Sequence, residues 1–296
     1  MNAFENLKPF SKIVYLFVFC LAGLFLAGSI ITIANGIWNE QIMQLPWGLR
    51  LGSGVQMVLM FFMPAVTLVK WSGNKPIAYL ALDYTKNSSS YGLYILAFLI
   101  LLTAMPFITL LSQINQTFVL PDWLSEVEVW MRNLEESAEN TTNLLLKGTS
   151  VWDYLGNILF IGVFAAIAEE VFFRGVLQKL LIKLFKNIHA GVWIGAFIFS
   201  LMHMQFYGFI PRIVLGAMLG YLFVFSGSLW LPIFVHFMNN ALVVTFNFFF
   251  SENSFYQYLE EPPITFNFLL VGFMSVGFFM YLFWLFKSKA TNNTAY

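Results

Sequence analysis

Residues Ala168–Val176 read AEEVFFRGV and follow Ile158–Ala168, a run with no charged residue. Two carboxylates and a guanidinium thus stand in a lipid-soluble stretch, where each charge costs at least about 2.5 to 3.5 kcal/mol near mid-membrane. Groups held at that cost need partners or a purpose. Glu170 and Arg174 are four residues apart, so a helix sets them on one face with the acid before the base, where they neutralise each other. Glu169 is rotated about 100° from Glu170 and is left to face a cavity. Two more apolar stretches carry polar rings and an amide. FSLMH sets His203 one turn after Phe199, and HFMNN sets His236 and Asn240 on one helix face at i and i+4. Each feature alone has a plainer structural reading, as a buried ion network or as hydrogen-bonding glue between helices.

Together they outline the hydrolysis of a carbonyl compound by water. Glu169 is the candidate base that takes a proton from water. His203 shares or orients that water, while His236 and the Asn240 amide offer donors to the oxyanion that forms when water attacks a carbonyl. No serine or cysteine in the constellation competes as nucleophile, so peptide-bond hydrolysis here needs no covalent intermediate and no cofactor. Zinc is the alternative, because two histidines and one glutamate make a catalytic zinc set with an open position for water. Glu169, His203 and His236 would then be the ligands. The HExxH pattern is absent and Glu169 would serve as ligand rather than base, yet the residues alone leave both versions open.

The elements that position these groups must cross a membrane. The chain of 296 residues is 59% hydrophobic and only 10% charged, against about 25% charged in a soluble domain. Apolar runs long enough to cross about 30 Å of hydrocarbon lie near 13–34, 51–70, 91–112, 154–178, 190–210, 211–226, 229–250 and 264–286. The expectation is an all-α, polytopic transmembrane bundle of about eight helices. The run from Ile13 to Ala34 exceeds the roughly 7 to 15 residues of a signal-peptide core and is read as a retained first span. Pro211 marks either a turn or a kink between the fifth and sixth runs.

Charge placement supports that count, since basic residues gather in cytoplasmic loops. With the N-terminus inside, Lys8, Lys12, Lys70, Lys75, Lys86, Lys179, Lys183, Lys186, Lys287 and Lys289 fall inside, and only Arg50, Arg132, Lys147 and Arg212 outside. Acids crowd the outer loops, among them Glu126, Glu128, Glu135 and Glu136 before the fourth helix and Glu252, Glu260 and Glu261 before the eighth. Both termini are therefore expected in the cytoplasm and the chain in the inner or plasma membrane. In the outer loop 114–150, Trp123, Val127, Trp130, Met131 and Leu134 recur at helical spacing, which predicts an amphipathic segment before helix 4. A rise of about 1.5 Å per residue puts Glu169 and Asn240 about 15 Å, His236 about 9 Å and His203 about 20 Å from the inner end. Antiparallel helices thus bring the four groups to similar depths. Zero net charge excludes a basic face for nucleic acid, and the lone Cys20 excludes an intrachain disulfide or cysteine metal cluster.

The motifs resemble those of a known family. EEVFFRG is similar to the EExxxR motif, FSLMH to FxxxH and GSLWLPIFVHFMNN to HxxxN of the CPBP family, the CAAX-protease and bacteriocin-processing intramembrane peptidases, which include the type II CAAX prenyl endopeptidase. The match covers roughly 154–246. It implies a membrane-embedded endopeptidase in which Glu169 and His203 activate water, His236 and Asn240 hold the oxyanion, and Glu170 and Arg174 support them. It also implies a membrane peptide or protein as substrate, lipid-modified in the eukaryotic relatives. The bundle divides on this reading into accessory helices and the amphipathic segment over 1–150, a catalytic core over 151–250 and a last helix over 251–296. Two other functions keep the same residues. A non-catalytic bacteriocin self-immunity or peptide-binding protein would retain the cavity, and a proton-coupled transporter would use Glu169 as a relay, although repeated halves and broken helices are not evident.

Overall fold

A computed structural model describes residues 4–38, 44–83, 91–260 and 262–293, and among them there are helices and no strands. Lys86 and Glu261 of the charge pattern lie outside the described residues. Lipid offers no hydrogen bonds to a backbone, so an apolar run satisfies its own amides by coiling into a helix. Among the described residues, seven helices are long and apolar enough to cross a membrane. They are α1 (Pro9–Trp38), α2 (Pro46–Trp71), α3 (Tyr91–Gln116), α5 (Val151–Phe185), α7 (Phe209–Ser226), α8 (Trp230–Phe250) and α9 (Phe266–Asn293). The chain is a multi-pass membrane protein. The amphipathic segment expected in 114–150 is helix α4 (Ser125–Leu146), which buries none of its residues.

The fifth expected span, 190–210, differs. Its helix α6 (Ile188–Leu201) has only 14 residues, about 21 Å at the α-helical rise. A turn over 202–208 follows, in which Met204 takes a left-handed φ of 54°. The polar His203 and Gln205 end the apolar run there, and Pro211 falls in the first turn of α7, where its missing N–H costs nothing. The proline therefore opens a helix and kinks none. The turn still reaches the far end of the bundle, because Asn115 near the end of α3 donates to the Phe206 carbonyl at 2.8 Å. At the other end, the Leu229 amide donates to the Ala81 carbonyl at 3.1 Å. α6 is thus too short to count among the seven spanning helices, and its turn is held against the end of α3.

The centre is α5, which contacts α1, α2, α6, α7 and α8. Every residue of Val171–Gln178 is buried, so this stretch is covered all round rather than on one stripe. It is π-helical, as is Ile158–Phe164, with the α-helical Ala165–Glu170 between them. Such wide turns shift the facing of side chains and recur at functional sites. Phe172 and Phe173 pack edge-on to Phe61 of α2, Phe17 of α1 and Phe199 of α6 within one apolar core. The buried Cys20 belongs to that core. α1 and α2 touch backbone to backbone at Gly23, where a Cβ would lie 1.9 Å from the Leu59 oxygen. α9 rests on α3 at the rim and exposes Phe273, Phe278 and Trp284.

Candidate active site

The α-helical turn at Ala165–Glu170 delivers two buried carboxylates to the middle of the bundle. Arg174 Nη1 donates to Glu170 Oε1 at 2.6 Å, the pairing that i,i+4 spacing requires. Its other nitrogen Nη2 donates to the Gly216 carbonyl of α7 at 3.0 Å, and the guanidinium lies 4.7 Å from the centre of the Phe199 ring. One arginine therefore ties α5 to both α6 and α7. His236 completes the cluster from α8: Nδ1 is 2.8 Å from Glu170 Oε1, and Nε2 is 3.8 Å from Glu169 Oε2.

This cluster is incompletely satisfied. Glu169 Oε2 and Glu170 Oε2 are buried with no hydrogen-bond partner, although buried polar atoms are overwhelmingly paired. The Glu169 oxygen points toward an imidazole nitrogen that is too far for a direct hydrogen bond. With Nδ1 held by Glu170, Nε2 of His236 is the ring position left for a third molecule. It accepts from water when bare and donates to an oxyanion when it carries a proton.

The other two expected residues are held by backbone carbonyls. His203 Nδ1 donates to the Phe199 carbonyl at 2.8 Å, which fixes the tautomer in which Nε2 is an acceptor. No hydrogen bond or ion pair joins His203 to Glu169. Phe199 lies against both imidazoles, with ring centres 4.8 Å from His203 and 6.1 Å from His236. Asn240 spends one amide hydrogen on the Ile161 carbonyl of α5 at 2.9 Å and keeps the second. The structure thus brings Glu169, Glu170, Arg174 and His236 into one cluster, and leaves His203 and Asn240 tied to helix backbones beside it.

Several supporting residues escaped the sequence reading. Arg212, counted among outer charges, sits in α7 and donates to the carbonyl and side chain of Gln205 at 3.2 and 2.8 Å. Asn115 clamps the turn after His203 from both sides, giving a hydrogen to Phe206 O and taking one from Ile210 N, each at 2.8 Å. α4 adds to that hold: Glu135 accepts from the Tyr207 amide at 3.1 Å, and Arg132 lies 4.8 Å over the Tyr207 ring. Nothing in one-dimensional spacing relates residue 115 or 135 to 207.

Among the described residues, no three His, Cys, Asp or Glu side chains converge as a metal-binding group. Glu169, His203 and His236 do not form one.

Beside the cluster, an apolar groove of about 290 Å³ runs between α3, α5 and α8, lined by Tyr94, Ile167, Ile233 and Phe237 among others. Ile167 and Ile233 lie two and three residues before Glu169 and His236.

Comparison with known proteins covers the same stretch. Residues 151–242 match the family model described as type II CAAX prenyl endopeptidase Rce1-like. A Bacillus subtilis (strain 168) protein, uncharacterized protein YpbD, is 31% identical over 90 residues, which are 29% of this chain and 43% of that one. The chain thus spans less than half the length of that curated relative. No solved structure matches. The CPBP resemblance carried by the three motifs is borne out over residues 151–242: this segment, which holds all six groups of the site, is Rce1-like.

Proposed function

We propose that the protein is an intramembrane endopeptidase that hydrolyses a peptide bond in a membrane-associated peptide or protein. The observation that supports this most is the buried, unpartnered Glu169 Oε2 facing His236 Nε2 across 3.8 Å. A water about 2.8 Å from both atoms fits that separation. Glu169 takes one proton of this water as its oxygen bonds to the carbonyl carbon. His203, with Nε2 as acceptor, orients the same water. Negative charge then gathers on the carbonyl oxygen, where protonated His236 and the spare hydrogen of Asn240 stabilise it. When the tetrahedral adduct collapses, the C–N bond breaks and Glu169 returns its proton to the leaving amine. Glu170 takes no proton in this scheme. It fixes the His236 ring, and Arg174 fixes Glu170.

The groove along α3, α5 and α8 suits an apolar part of the substrate, either a membrane-seated segment or a lipid modification. With the lysine-bearing helix ends and both termini on the cytoplasmic side, the scissile bond enters from the inner leaflet.

The test offers purified protein in liposomes a panel of lipidated and unlipidated peptides, alongside folded Glu169→Gln and His203→Ala variants. Cleavage by the wild type alone supports the reading, and equal behaviour of all three rejects it. Repeating the assay after stringent chelation, with metal content measured, decides whether a metal takes part.

A further inference from the structure

At the end of the bundle that collects lysines lies a cavity the proposed reaction does not use. Its volume is about 210 Å³, and α1, α2 and α5 each line it. The lining joins Lys12 and Lys183 and the polar Ser72 and Asn74 to apolar residues such as Leu68 and Leu180. Two cations thus face one small space.

Their charges are not neutralised. Among the described residues, no carboxylate lies within 4.0 Å of either ammonium. Lys12 donates to the Glu5 carbonyl at 3.3 Å, and Lys183 stands 5.7 Å over the Tyr79 ring. Carbonyl and ring contacts hold an ammonium without cancelling its charge. A third cation, Lys179, donates to the Tyr79 carbonyl and lies 5.0 Å over the same ring. An anion in the cavity would relieve this crowding.

Depth and lining select which anion. α1 begins at Pro9, α2 ends at Trp71 and α5 ends at Phe185, so the cavity lies at helix ends, where lipid headgroups meet hydrocarbon. Lysines act as point charges toward phosphate, and basic pockets between membrane helices take lipid headgroups. The apolar lining suits the glycerol and first methylenes of a lipid, contacts that a free ion would not make.

We infer that this cavity binds the phosphate of an anionic phospholipid, with Lys12 and Lys183 on its oxygens and Asn74 beside them. Occupancy joins the ends of α1, α2 and α5 within a few residues of Arg174, since Val176 also lines the cavity.

The test uses the full chain in phosphatidylcholine nanodiscs with and without phosphatidylglycerol, read by native mass spectrometry and by melting temperature. Wild type is expected to retain phosphatidylglycerol over phosphatidylcholine and to melt higher with it. Lys12→Gln and Lys183→Gln each weaken retention about fivefold, the effect of losing one cation near an anionic headgroup. Lys183→Arg keeps it. Lys70→Gln with Lys186→Gln removes two charges from the same end outside the cavity and leaves retention unchanged. Inorganic phosphate is tested separately at millimolar concentration. Stabilisation by it that Lys12→Gln abolishes upholds the phosphate site with the free ion as its source. Equal retention of both lipids by wild type, or an equal loss in the Lys70/Lys186 control, overturns the assignment.

Discussion

Two buried arginines set two parts of α5 in contrast. At one end Arg50 of α2 is fully buried, and four hydrogen bonds meet it: Nε to Asn157 at 2.7 Å, Nη1 to Asp153 at 2.6 Å, and Nη2 to the Leu145 and Lys147 carbonyls at 3.0 and 2.9 Å. Asp153 is committed twice over, since it also closes a capping box with Ser150 at the start of α5. Nearer the middle, Arg174 is buried as well, but its cluster leaves one oxygen of Glu169 and one of Glu170 without a partner. Similar chemistry is closed in one place and open in the other. A closed buried ion pair holds helices together, whereas the proposed hydrolysis needs an open carboxylate beside an imidazole.

The widest separation between the two regions is expected in activity. Glu169→Gln keeps the shape and removes the proton acceptor, so peptide cleavage should fall by about 10² to 10⁴-fold. Its melting temperature should hold or rise, because an unpartnered buried charge is gone. Cleavage followed by mass spectrometry, with melting measured in parallel, would expose a merely structural Glu169 through retained turnover.

Arg50→Leu should do the reverse. Removing one partner of a buried pair strands the other, a loss of about 3–5 kcal/mol, while cleavage per folded molecule persists. Should chemical unfolding in mixed micelles find Arg50→Leu as stable as the wild type, the contrast between closed and open clusters would collapse.

Asn115→Ala removes two hydrogen bonds from the turn after His203, at about 1–3 kcal/mol for each backbone group left buried and unpaired. The expected readout is a lower kcat with little change in KM, and Asn115→Asp should recover part of it by accepting from Ile210. An altered KM alone would mean the turn binds substrate and does not position His203.

The smallest effect concerns α4, which lies outside the membrane spans. Glu128 takes hydrogen bonds from Arg132 and from the Leu120 amide, and these hold its carboxyl below the usual range. A lowered folded pKa contributes stability that is complete above the unfolded value near pH 4.3, and acid removes it as pH falls through the folded value. Hydrogen-exchange protection over 118–132, corrected for the intrinsic pH dependence of amide exchange, should therefore fall below about pH 4, sooner in high salt. Corrected protection that is flat with pH would show the pair to be ornamental.

Much of the site was legible because membrane chemistry makes polar residues conspicuous. Against uncharged runs, Glu169, Glu170, Arg174, His236 and Asn240 stand out by cost alone, and the i,i+4 spacing of Glu170 and Arg174 predicts the 2.6 Å pair that forms. The helical bundle was legible for the same reason, although the fifth of the eight expected runs forms only the 14-residue α6 and seven helices among the described residues are long enough to span. What stayed hidden were contacts between distant segments. Arg50 and Arg212 looked like loop charges because a one-dimensional count cannot tell a solvated arginine from one swallowed by the bundle. The end of α6 was hidden too, since hydropathy continues past Leu201 while the backbone turns at Met204.

By itself the sequence determined that this chain crosses a membrane repeatedly as helices, and that an acid-base pair and an imidazole–amide face sit within those helices. Both follow from local rules: lipid forbids an unpaired backbone, and helical periodicity sets which neighbours share a face. Only the tertiary structure decided that His236 closes on both glutamates while His203 turns to its own helix, and that one carboxylate oxygen faces a gap. Those outcomes depend on how four helices pack at ångström precision, and no spacing along a single chain contains that distance.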